Sequence, residues 1–533
     1  MNTLKQFLFI LVQSLSFVYA SGQNIENLTR STPESQGVSS ASIIDFINAI
    51  DTGHIEIHSF MFLRHGKVIA EGWWNPYGPG HKHILYSASK TFAATGIGLA
   101  ISENRLSLSD KVISFFPASL PDTISQYMRE MSVRDLLMMS TGQDAEPRRG
   151  QNDDWIRSFI SKAPLSQPGT IFKYNNTATF MLSAIVQQVT GETLYEYLTP
   201  RIFRPLGIRG IDWDLNAQGI NLGMIGLRLK TEDMAKFGQL MMQQGEWNGK
   251  QLIPKQWIEE ATTFKIKSQG GNEKIPAEIS DWLQGYCYQM WRGRNNSVRL
   301  DGMSGQFVIL LPDKDAVVVL TANAQDTQKE LDLVWRYLLP SIKSDNPLQA
   351  DPVSFNNLQK KSGSLTVVSP SEKPVNSLFA SRITGKTIEF QQNNSGIKEM
   401  RLNFNNGICH ILIKRESVTY NIKAGLDSWE GSETNLSSLL SAPRIAMKSR
   451  DANYTIQQPL IKVASYCSWT DKNTLELTSR FIEESTGAEG LILKFSEADG
   501  TLNVSLDRKS VRGSAMGFGP PRQPETLIGR IVQ

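Results

Sequence analysis

HILYSASKTFAATGIG, residues 83–98, places Lys90 inside an otherwise apolar run, three residues after Ser87. Phe92, Ala93, Ile97, Ala100 and Ile101 recur at helical spacing, which predicts a helix from Ser87 to about Asn104. Residues three apart on a helix share a face, so Lys90 lies one turn above Ser87. Ser87 then stands at a helix start, where unpaired N–H groups and the macrodipole favour developing negative charge. Lys90 has no carboxylate nearby in sequence, and desolvation lowers a lysine's pKa. A neutral lysine can take the serine's proton, so one turn of helix supplies a nucleophile and its base. Read alone, the same pair is equally a capping serine followed by a solvated lysine.

Two further stretches bear on that choice. In FKYNNTATFMLSAIV, beginning at Phe172, Tyr174 and Asn176 stand on a loop before a helix expected over 177–189. A tyrosine near a cationic lysine approaches the phenolate form and can act as acid and base toward a leaving group. By itself, Tyr-x-Asn is also an asparagine-capped turn. In RLDGMSGQFVILL, Gly302 and Gly305 let an edge strand approach a ligand, and the N–H groups of Ser87 and Met303 can form an oxyanion hole. Alone, that stretch is a β-bulge with a bend.

Taken in order, these stretches resemble the serine β-lactamase and penicillin-binding-protein superfamily, whose signature is S-x-x-K, then Y-x-N or S-D-N, then K-T-G. The branch most similar is the class C-like one, with family VIII carboxylesterases, D-amino-acid peptidases and nylon-oligomer hydrolases. The resemblance runs from about Pro33 to Leu339 and includes LLMMSTG (136–142), PGTIFKYNN, RPLGI and GLRLKTEDMAKFGQLMMQQGEWNGKQLIP. It implies an α+β fold, an antiparallel sheet flanked by helices with an all-helical lobe. It further implies that Ser87 is acylated, Lys90 is its base and Tyr174 shuttles protons. Asn176 would hold the substrate's acyl side and Met303 would give the second oxyanion N–H, with no cofactor and no metal. The third motif departs from the pattern: Leu300-Asp301-Gly302 stands where K-T-G is expected, so the cation and hydroxyl that grip a substrate carboxylate are missing. The E-x-x-L-N motif is also not found within that stretch, the one such string, Glu399 to Asn403, lying in the strand-rich tail. Hydrolysis of small esters or amides is the first expectation. Transfer to a bulky alcohol, sterol-like in shape, or to an amine is the alternative, and a cell-wall D-Ala peptidase or β-lactamase the second alternative.

A Ser-His-Asp hydrolase is the rival mechanism. No G-x-S-x-G is present, and no histidine lies between His83 and His410. Trp73, Trp74, Tyr77, Trp155, Tyr286, Tyr288 and Trp291 either line a broad apolar cleft or pack in the core; Trp155, Tyr288 and Trp291 are expected to touch substrate, with Asn176, Asp301 and Gly302.

The 533 residues, net charge +3, 40% hydrophobic and 20% charged, fit a soluble multidomain protein and give no reason to expect nucleic acid as a partner. Residues 1–20 read as a signal peptide, leaving an exported mature chain, periplasmic or extracellular, with no membrane span. An N-glycosylation sequon, Asn175-Asn176-Thr177, lies inside the expected site, which argues for a bacterial source. Residues 21–345 form the expected hydrolase domain and 346–360 a polar, proline-bearing linker. In 361–533, short alternating segments separated by turns such as Asn406-Gly407 and Asp499-Gly500 predict an all-β sandwich or barrel. Cys409 and Cys467 either pair there or are buried as small apolar residues.

Overall fold

A computed structural model describes residues 27–147, 150, 153–269, 276–367, 375, 377–436, 438–439, 447–450, 460–509 and 526–532. The expected signal peptide lies outside them. Helix α1 (Ser40–Gly53) precedes a hairpin of β1 (Ile57–Arg64) and β2 (Lys67–Trp73), turned by His65 and Gly66, both at positive φ. Strand β3 (Lys82–Ile84) runs into a tight turn, Tyr86–Ser89, and then α2 (Lys90–Ser102). After α3 (Asn176–Thr190) come β4 (Asp212–Leu215), β5 (Leu227–Lys230) and α4 (Thr231–Met242). Strands β6 (Trp291–Arg292), β7 (Val298–Gly302), β8 (Gln306–Leu311) and β9 (Ala316–Ala322) follow, then α5 (Thr327–Leu333) and α6 (Pro352–Ser362).

The main sheet is antiparallel, in the order β2-β1-β9-β8-β7-β6. Early and late segments therefore meet at its centre, where Phe60 faces Leu320 and Phe62 faces Val318. Both β1 and β9 are buried along their whole length. That is why SFMFLR and AVVVLTA carry apolar residues on both faces instead of alternating. Phe60, Phe62, Ile309 and Val318 point into one core with α1, while Met61, Leu63, Val308 and Val317 point into the other with α2, α3 and α4. Each fully buried phenylalanine contributes about 1.5–3 kcal/mol. Helix α2 is buried from Lys90 to Ala100, so its apolar residues surround it, and Phe92 stacks on Phe237 at 4.0 Å.

The expected linker contains α6. Asp351 accepts the Ser354 N–H at 3.0 Å, proline occupies the first helical position, Leu358 is buried and Lys361 pairs with Asp51 at 2.7 Å. Asp-Pro is a helix start, and a polar face with one buried leucine reads locally like a linker.

Beyond it lie β10 (Thr387–Phe390), β11 (Ile397–Asn405), β12 (Ile408–Arg415), β13 (Val418–Leu426), β14 (Glu430–Thr434), β15 (Ile461–Trp469), β16 (Thr474–Phe481), β17 (Ala488–Ala498), β18 (Thr501–Lys509) and β19 (Leu527–Val532). Nine of these close a barrel through a short parallel pairing of β13 with β15, and β14 extends the other part of the β15 edge. Asn406 and Gly407, and Asp499 and Gly500, adopt the left-handed conformation that two-residue hairpin turns require. The three cysteines are unpaired and buried. No helix among the described residues is long and apolar enough to cross a membrane.

Candidate active site

Ser87 sits on the turn between β3 and α2, directly after Tyr86, which is held at a φ of 45°. A left-handed tyrosine costs about 1–2 kcal/mol, a local strain that aims the next residue out of the chain's path. Ser87 is half-buried, whereas Lys90, one turn on, is 1% exposed. Lys90 Nζ lies 3.0 Å from Ser87 Oγ, 2.8 Å from Asn176 Oδ1 and 3.0 Å from the Met224 carbonyl. It also stands 4.9 Å from the centre of the Tyr174 ring.

Asn176 begins α3, and Glu146 orients its amide by accepting from its backbone N–H at 3.0 Å and from Nδ2 at 2.7 Å. The other end, Oδ1, must therefore face the lysine. Asn176 is thus committed to Lys90 and Glu146 and is not among the residues lining the cleft described below. Tyr174 bonds to Ser87, but burial raises its pKa well above 10, with the Asp301 and Glu146 charges adding to the rise. Desolvation outweighs the Ser87 hydrogen bond there, the opposite direction to the drift toward phenolate expected from the sequence.

A cleft of about 720 Å³ opens over Ser87, lined also by Tyr174, Trp282, Trp291, Asp301, Met303 and the 325–328 segment. Its far wall is the turn after β7. Ser304 and Gly305 take positive φ of 62° and 90°. Gly305 N–H donates to the Gly302 carbonyl, Gln306 Nε2 to the Met303 carbonyl and Ala324 N–H to the Ser304 carbonyl, at 3.2, 2.9 and 3.0 Å. Three carbonyls are thereby engaged by the chain itself. A Cβ on Gly302 would stand 2.2 Å from the Leu85 carbonyl, so only glycine lets this wall touch the nucleophile turn.

Asp301 lines the cleft while accepting from Arg299 Nε at 2.9 Å, with Nη2 of the same guanidinium 2.9 Å from that oxygen as an ion pair. Burial pushes its carboxyl up, and the Arg299 charge opposes that rise. Trp291 is in the cleft and stacks on Tyr174 with ring centres 6.0 Å apart. Besides Asn176, three expected contacts fall outside the lining: Gly302, which packs against the Leu85 carbonyl, and Tyr288 and Trp155. Tyr288 is buried beside Trp257, with its hydroxyl donating to Glu260 at 2.8 Å. Trp155 packs edge-on to Phe180 and donates to the Gly150 carbonyl at 2.9 Å, and it is not among the lining residues. Sequence reasoning missed Glu146, Met224, Trp282 and the 325–328 segment. Among the described residues no cluster suited to a metal ion is present.

Residues 43–340 match a family model described as Beta-lactamase. The chain is 23% identical over 291 residues to the 6-aminohexanoate-dimer hydrolase of Paenarthrobacter ureafaciens, covering 50% of this chain and 73% of that one. It is 24% identical to protein flp of Staphylococcus aureus strain MW2, covering 30% of this chain and 35% of that protein. Among solved structures, the octameric penicillin-binding protein homologue from Pyrococcus abyssi is similar at 15% identity and a TM-score of 0.44, covering 91% of this chain and 99% of that chain.

Proposed function

The chain belongs to the Beta-lactamase family, a family of hydrolases, and on that premise we propose that it is an exported serine hydrolase that passes through an acyl-enzyme on Ser87. The observation that carries this reading is the seating of Lys90. That residue is 1% exposed, and its Nζ lies 3.0 Å from the Ser87 hydroxyl beside the Asn176 and Met224 carbonyl oxygens. In the neutral form its lone pair would be within reach of that hydroxyl's proton. Ser87 Oγ attacks the substrate carbonyl as its proton moves to Lys90, and Tyr174, a phenol bonded to Ser87, relays a proton to the leaving group. The N–H groups of Ser87 and Met303 meet the oxyanion. Water then releases the acyl group.

Small esters and amides that are neutral or cationic at the Asp301 end are the proposed substrates. Leu300 and Asp301 offer no cation toward the cleft, since Arg299 is fully buried behind them. The relative named for hydrolysis of an aminohexanoate dimer supports an amide-cleaving capacity. A second reading, transfer to an alcohol or amine, is supported by the size of the cleft and its Trp282, Trp291 and Met303 lining. Export from a bacterial cell is supported by residues 1–20 and by Asn175. That asparagine is 2% exposed and donates through Nδ2 to Gln143 at 3.0 Å, so a glycan on it is incompatible with this fold.

Mixing the enzyme with a p-nitrophenyl ester and taking its intact mass tests the proposal. An acyl adduct is expected on the wild type and none on Ser87→Ala. Acylation of the folded mutant would refute the assignment. Adding candidate acceptors to the same reaction separates hydrolysed from transferred product.

A further inference from the structure

The barrel reaches the catalytic domain from behind Ser87, not through the cleft. Its turn between β16 and β17 meets β3, which ends three residues before the nucleophile. Glu483 accepts the Lys82 backbone N–H at 3.1 Å, and its own carbonyl accepts from Arg228 Nε at 2.9 Å. Arg228 also holds Glu484 at 2.8 Å and pairs with Asp212 and Asp214 of β4.

Deeper in, a chain of side chains crosses the interface. Arg480 Nη1 donates to Glu56 Oε1 at 2.8 Å, and the same oxygen is 3.1 Å from His58 Nε2. His58 Nδ1 is 2.8 Å from His83 Nε2, on β3. Tyr77 stacks on His58 at 3.8 Å with its hydroxyl 3.5 Å from Arg480 Nη1, and Asn323 Nδ2 donates to Glu56 at 3.2 Å. Arg480, His58 and His83 are all buried. With Glu56 ionised beside Arg480, His58 must carry its proton on Nε2 to donate to Glu56. Its Nδ1 faces His83 Nε2, and His83 Nδ1 in turn lies 3.2 Å from the Ile84 carbonyl, three residues before Ser87. One charge in the barrel thus stands at the end of a contact chain that runs to the strand that delivers Ser87. Without Arg480, Glu56 is a half-buried carboxylate stripped of its cation, and such a group protonates or moves.

We propose that Arg480 is a positioning residue for the nucleophile, acting through the Glu56–His58–His83 chain, so that the barrel takes part in acylation. This rests on Ser87 being the nucleophile. Full-length variants are mixed with p-nitrophenyl butyrate, and the acylation rate and KM are read below the unfolding temperature found by circular dichroism. Arg480→Met is expected to slow acylation between about tenfold and a hundredfold, as misplacement by a fraction of an ångström does. KM should stay unchanged, because Arg480 touches no residue of the cleft. Arg480→Lys should recover part of the rate. His83→Phe should slow acylation by a similar factor, and the double variant should lose no more than either single one, because both cut one chain. Arg382→Met, which breaks an exposed barrel pair with Glu497, is the control expected to act as wild type. Wild-type acylation by folded Arg480→Met, or a double variant that loses the product of the two factors, overturns the proposal. Where Arg480→Met does not fold, Arg480→Lys decides: slower acylation at constant KM supports it, and a wild-type rate overturns it. Acylation of Ser87→Ala would instead refute the nucleophile, whatever Arg480 does.

Discussion

The two walls of the cleft are built by different means. On the nucleophile wall, Ser87 and Lys90 come from one helical turn, and Tyr174 and Asn176 from the start of one helix. Short-range geometry places the Ser87–Lys90 and Tyr174–Asn176 pairs, while Glu146 and Met224 reach in from elsewhere to orient them. The opposite wall is assembled from the 301–305 turn, the 325–328 segment and Trp282, which meet only because the sheet register and the Ala324–Ser304 bond bring them together. The reaction type proposed above rests on the first wall and the proposed substrate choice on the second.

Substitutions on each wall test that division. The largest loss is expected from Lys90→Met, which removes the proton acceptor and should lower kcat by about 10²–10⁴-fold with little change in KM. A folded variant with near-normal kcat would mean that the base lies elsewhere. Gly302→Ala acts where the walls touch. Its Cβ would stand 2.2 Å from a backbone oxygen that cannot swing aside, so kcat should fall by about a hundredfold. Steady-state kinetics beside a thermal melt would check it, and an unaffected kcat would mean the walls can separate freely. Asp301→Asn is milder. It should leave turnover of a neutral ester nearly unchanged while improving kcat/KM for a carboxylate-bearing ester by about tenfold, since Arg299 already offsets part of the repulsion. Equal gains on both esters would deny the second wall its role in charge selection, as would efficient penicillin turnover by the wild type.

The smallest effect concerns the support behind the first wall. Burial holds His58 at about 4 and His83 at about 3, below the ordinary 6.5. The unfolded chain thus binds protons that the folded chain refuses. Stability contributed by these residues is complete above about pH 6.5 and declines as the pH falls toward the folded values. Between pH 7.5 and 5.5 each histidine should cost about 1 kcal/mol. Urea midpoints at the two pH values measure this, and the decline should shrink in His83→Phe.

The same division explains what could be read beforehand. Ser87, Lys90, Tyr174, Met303 and Gly302 stood in short patterns that are ambiguous one by one and that point to a site through the resemblance they make in order. The barrel turns were legible because Asn406-Gly407 and Asp499-Gly500 need left-handed backbone. Glu146 and the 325–328 segment carry no local signal, because register alone makes them neighbours of the site. Tyr288 and Trp155 were assigned to the cleft because an aromatic ring fills a core and lines a cleft equally well. Strand β14, EGSET, has no apolar alternation to betray it.

The long-range bonds also set a schedule. Lys82 and Glu483 are 401 residues apart in the chain, and at 5–20 residues per second a ribosome needs roughly 20–80 s to bridge that interval. The nucleophile is therefore synthesised long before its support. The barrel ring cannot close until β19 reaches β10. On the role proposed for Arg480, a nascent chain bearing Ser87 would lack that support until the barrel residues had been added.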